Sequence, residues 1–98
     1  MIDRATAANI VRQELAKARI GDLELQLIDE RTIERPFGWI FFYDSRQFLE
    51  TGDRRCRIRG NSPIIVDRRD GSVHPTGTGR PIEYYIARYE RERAAEPS

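Results

Sequence analysis

The chain has 98 residues, 39% hydrophobic and 34% charged, with 17 basic against 16 acidic side chains. That length supports a single domain over residues 1–98 with an adequate but modest core, and a formal charge of +1 supplies no general field for nucleic acid or an anionic membrane. One cysteine, Cys56, excludes an intrachain disulfide and a four-cysteine zinc site. No apolar run approaches the ~20 residues of a membrane span. The first residues lack the basic start and apolar middle of a signal peptide, so a cytoplasmic protein is expected.

In chain order, Asp3 or Thr6 can cap a first helix running to about Arg19, with Gly21 placed to end it in the left-handed conformation. Ala8, Val11, Leu15 and Ala18 form its narrow apolar stripe, flanked by Ile10. Leu23, Leu25 and Leu27 alternate with Glu24 and Gln26, the pattern of a strand with one wet face. The charged segment Asp29–Arg35 reads as a hairpin connection with strand arms. It leads into Pro36–Asp44, which holds the single Trp, three of the four Phe and one of the four Tyr. Aromatic and β-branched residues favour a pleated strand, and apolar groups on both faces predict one covered from two sides. Period two groups Phe37, Trp39, Phe41 and Tyr43 on one face and Gly38, Ile40 and Phe42 on the other.

Ser45–Asn61 shows no clear periodicity. Phe48 and Leu49 predict a short helical turn tucked on the sheet, and Thr51-Gly52-Asp53 a turn. Ile64–Asp67 is a short strand, Asp70-Gly71 a hairpin signal, and Ser72–His74 an edge strand stopped by Pro75. Pro81 opens a helix whose stripe is Ile82, Tyr85, Ile86 and Tyr89; Glu90–Arg93 continue it in solvent and Ala94–Ser98 fray. The expected fold is α+β: an N-terminal helix, a four-stranded, mostly antiparallel meander, and a C-terminal helix packed on the sheet, ordered over about residues 3–92.

Few residues offer chemistry. His74 is the only histidine, and its strand neighbours supply no nucleophile that sequence can place beside it; a half-exposed strand residue is the plain reading. Cys56 among Arg54, Arg55 and Arg57 is a candidate reactive thiol, against the default of an inert one. Gly77-Thr78-Gly79 before a helix is a weak match to a phosphate loop, because Pro81 and Ile82 stand where the fingerprint needs glycine and a hairpin strand precedes. It is the one support for a small enzyme or nucleotide-binding domain. The aromatic run reads as core, not as a base-stacking platform. Sixteen of the 17 basic residues are Arg, a bias suited to bidentate pairing and interfaces. The Arg54–Arg59 cluster suits a phosphate or an acidic partner surface, or is a solvated loop.

Several pieces recur in one order: Trp39 in its aromatic strand, Phe48–Asp53, Gly60–Asp67, Asp70-Gly71, Gly77-Thr78 and Pro81–Tyr85. In this the chain, from its first helix to about Tyr89, resembles the immunity protein 35 family, the YrhB-like small bacterial proteins. The resemblance implies a non-enzymatic cytoplasmic protein, encoded beside a polymorphic toxin, that binds the toxin domain and neutralises it. It implies no catalytic residue, cofactor or metal, and no nucleic-acid or membrane partner. A chaperone-like holdase role under heat stress is the alternative it carries, which would need exposed apolar surface on the sheet. The motif residues read as structural, Gly52 and Gly60 for positive φ, Trp39 and Tyr85 for core. For the partner surface the expectation falls on Glu50, Asp53, Arg54, Arg55, Arg57 and Arg59, with the exposed side of the sheet.

Overall fold

A computed structural model describes residues 1–18, 21–58 and 60–96; Arg19, Ile20, Arg59, Pro97 and Ser98 lie outside the described residues. Asp3 opens helix α1 (Arg4–Lys17), its carboxylate accepting the Thr6 N–H at 2.8 Å. That bond satisfies one of the free amides every helix start exposes. The buried face is Ala7, Ala8, Val11 and Leu15, so Ala7 joins the stripe and Ala18 leaves it. Ala18 is already extended (φ −98°, ψ 107°), which ends α1 before Arg19. Gly21, with φ +60°, belongs to the turn that follows and not to the helix end.

Strands β1 (Leu25–Leu27) and β4 (Tyr43–Ser45) make a two-stranded sheet; β2 (Ile33–Arg35), β3 (Gly38–Phe41), β5 (Ile64–Asp67) and β6 (Val73–Pro75) make a four-stranded one in that order. Every pairing is antiparallel. The expected α+β fold is therefore observed, with α1 before the strands and α3 (Ile82–Ala94) closing the chain.

One detail sharpens the sequence reading and one departs from it. After a 3₁₀ turn at Asp29–Arg31, the charged connection extends as β2 and turns at Pro36–Phe37 into β3. An edge position makes this tolerable, since Glu34 and Arg35 stay exposed. The aromatic run also leaves the large sheet at Phe42, whose carbonyl accepts the Ile28 N–H at 2.8 Å, and continues as β4 in the small one.

β3 and β5 are buried throughout. On one face Trp39, Phe41, Ile64 and Val66 pack with Leu27 under α1. On the other, Ile40, Ile65 and Phe37 pack with Ile86 of α3, with Ile33, Phe42, Ile82 and Tyr89 half-buried around them. Phe37 is thus on the face opposite Trp39, its ring 4.9 Å from that of Tyr89. The reason is Gly38: at φ +151° it breaks the alternation at the strand start, and a Cβ there would overlap the Val66 carbonyl. Since helices cover both faces, the inner strands leave no exposed side for a partner.

Candidate partner-binding site

The loop between the two sheets starts from Ser45, whose hydroxyl caps α2 (Arg46–Thr51) by accepting the Phe48 N–H at 3.0 Å. Phe48 and Leu49 are half-buried on this helix, as expected. Gly52 ends it at φ +74°, a conformation that costs other residues a Cβ clash. Asp53 then caps a 3₁₀ turn over Arg54–Cys56 by accepting the Arg55 N–H at 3.0 Å.

Beneath the turn the main tie is Asp44, 3% exposed. Its Oδ1 accepts the N–H groups of Ser45 at 2.7 Å and Ile58 at 3.0 Å. The Ser45 hydroxyl donates to the Cys56 carbonyl, Asn61 donates to the Tyr43 carbonyl at 2.8 Å, and Ile58 is buried. The segment is therefore fixed at both ends although its outer side faces solvent.

The six expected contact residues divide. Asp53 and Arg55 form a two-point pair at 3.1 and 2.9 Å, Arg55 being 91% exposed. The Arg55 guanidinium and N–H hold the Asp53 carboxyl below its ordinary range. Arg54 is exposed, and no carboxylate reaches it among the described residues. Arg57 is exposed but leans back over the loop, its Nε 3.6 Å from Asp44 Oδ2 and its guanidinium 5.6 Å from the Phe48 ring centre. Glu50 stays on α2, paired with Arg46 at 2.8 Å. Arg59 lies outside the described residues.

Sequence reasoning missed a second constellation. Asp67, at the end of β5, is fully buried and binds three side chains at once. It accepts Tyr89 Oη at 2.7 Å and Arg93 Nε at 2.9 Å from α3, and two Arg69 donors at 3.2 Å each. Burial pushes the Asp67 carboxyl up, but the bonds from Arg93, Tyr89 and Arg69 outweigh it and hold the group well below the usual carboxylate range. Burial and the neighbouring Asp67 charge raise Tyr89 correspondingly. Arg93, expected in solvent, instead fastens the closing helix.

His74 is the half-exposed strand residue expected, but it has a serine beside it that sequence did not place there. Residues two apart on a strand share a face, and this brings Ser72 Oγ to 2.8 Å from His74 Nε2. The His74 ring stacks on Tyr89 at 5.0 Å. Among the described residues His74 has no second polar partner to orient it as a base, so this pair lacks the third member of a nucleophilic relay. A cleft of about 310 Å³ runs between His74, Thr76 and α3, and its charged side chains Arg88 and Arg93 are already paired, to Glu92 and Asp67. Gly77 packs on Tyr85, whose Oη would lie 2.6 Å from an added Cβ; the glycine loop is spacing for an aromatic ring. Cys56 is half-buried.

With this geometry in view, the sequence model of immunity protein 35 matches residues 5–91, from the first turn of α1 to the last turns of α3. The chain belongs to the immunity protein 35 family. A relative described as uncharacterized protein YrhB, from Escherichia coli (strain K12), is 46% identical over 57 residues. That stretch covers 58% of this chain and 61% of the relative's length. No solved structure matches the chain. At family level, then, the role is that of an immunity protein. The family match takes in the Asp44-tied loop and, of the Asp67 knot, Asp67, Arg69 and Tyr89 but not Arg93. No helix among the described residues is long and apolar enough to cross a membrane.

Proposed function

We propose that this chain is a non-enzymatic immunity protein that binds a cognate bacterial toxin domain in the cytoplasm of its maker and blocks it by covering its active site or a surface that it needs. The contact surface is the segment Glu50, Asp53, Arg54, Arg55, Arg57 and Arg59. One observation carries the reading: in a chain of an immunity family, an arginine-bearing loop faces solvent on a backbone held from below by Asp44. A fixed loop loses little freedom on binding, and arginine is a residue type on which interface affinity concentrates.

The holdase alternative is less well supported. Among the described residues the exposed large hydrophobic side chains are Met1 and Tyr84, whereas holding unfolded clients needs a broad apolar patch.

The test is co-expression with the toxin domain encoded beside the gene. Growth should be rescued and a stoichiometric complex recovered. Suppressed aggregation of several unrelated clients, with no complex formed, would replace this reading by the holdase one.

A further inference from the structure

Resting on the immunity reading, the geometry points to the chemistry of the partner: we infer that the Asp53–Ile58 turn is shaped to meet a carboxylate-rich protein surface. Three guanidinium groups, Arg54, Arg55 and Arg57, stand on this turn against two carboxylates, Asp53 on it and Asp44 beneath it, in a molecule whose formal charge is only +1. The cationic excess is therefore local.

Two of the three guanidinium groups are also aimed. Asp53 grips Arg55 through Nε and Nη2 and sets its plane, leaving Nη1 with no protein acceptor among the described residues. Arg57 is steadied between the Asp44 carboxylate and the Phe48 ring. Arg54 carries a full charge with no carboxylate in reach among the described residues. The terminal Nη edges that these contacts leave free are donors a partner carboxylate can accept from.

A nucleic-acid backbone fits less well. It needs basic charge spread along a face, and here Glu50 and Asp53 border the same short turn. The toxin surface that is covered is thus one built of Asp and Glu, as in a site that works by paired carboxylates or holds a metal ion, not a basic groove for a polyanion.

The experiment measures association of the purified protein with the toxin domain encoded beside the gene, between about 50 and 300 mM salt. Electrostatic steering should make the on-rate fall about tenfold over that range. The double variant R54E/R55E should weaken binding at least about tenfold and bind no more weakly as salt rises, with R54Q/R55Q intermediate in affinity and nearly indifferent to salt. Thermal melts of both variants check folding, and the Gln pair serves if the Glu pair fails to fold. Tight binding that ignores salt and both variants would overturn the carboxylate inference while leaving the immunity role standing. No binding by the unaltered protein would remove both. Binding of a 20-base-pair duplex that R54E/R55E abolishes would assign the turn to a polyanion and overturn the inference as well.

Discussion

Asp67 shows how one buried charge can hold a fold closed. A carboxylate taken out of water is tolerated only where donors replace its hydration, and here Tyr89, Arg93 and Arg69 supply them. Asp67→Asn keeps the shape but removes the charge, leaving two guanidinium groups facing a neutral amide. Because Arg69 and Arg93 remain partly solvated, the loss should sit at the lower end for a broken buried pair, about 3 kcal/mol by urea denaturation. A loss below about 0.5 kcal/mol would mean that water already satisfies the site. The sign with pH follows from the lowered pKa. Between the folded value and the ordinary value near 3.9 the unfolded chain binds more protons, so this stability is complete above the ordinary range and is lost as pH falls through the folded value. The gap between the unaltered protein and Asp67→Asn should be constant above about pH 5 and narrow below about pH 4. A gap that widened on acidification would refute the assignment.

At the scale of elements, Asp44 does for the loop what Asp67 does for α3. It accepts amides from Ser45 and Ile58, 14 residues from itself, and so ties β4 to the far end of the arginine turn. Asp44→Ala should cost about 2 kcal/mol and speed hydrogen exchange at the Ile58 amide, while amides of β3 and β5 stay protected. Equal acceleration everywhere would mean that the tie supports the whole fold and not the loop. The contrast with what sequence revealed is instructive. Ile64–Asp67 and the Asp70-Gly71 turn were legible because β-branched runs and turn residues act through their own backbone. β2 was legible only as a strand arm without bounds, since Glu34 and Arg35 look like loop until an edge position lets them face water. Phe37 was assigned to the wrong face because period two presumes an unbroken strand, and Gly38 breaks it. The loop arginines were legible as a cluster, but the pairing of Arg57 with the buried Asp44 was not. The Asp67 knot was invisible for a simpler reason: Tyr89 and Arg93 lie 22 and 26 residues away, and no local pattern encodes that meeting.

At the scale of the molecule, the two hydrophobic clusters are separate in composition but share their strands. Trp39, Phe41, Ile64 and Val66 face α1, while Ile40 and Ile65 face α3, so successive residues of β3 and β5 serve opposite cores. Losing either helix would leave one face of a fully buried strand wet, which couples the two layers. Unfolding should therefore be a single step. Trp39, 2% exposed, donates Nε1 to Glu34 at 3.1 Å and lies under the Arg68 guanidinium at 4.8 Å, so its emission reports the α1 face. The helix signal at 222 nm includes α3. The two thermal transitions should coincide, within error, in the unaltered protein. Helix loss at a temperature where Trp39 emission is still that of a buried ring would show that α3 undocks from a self-sufficient sheet. Coincidence in Asp67→Asn too, at a lower midpoint, would show that shared strands couple the layers and that the ionic knot adds stability without being the link.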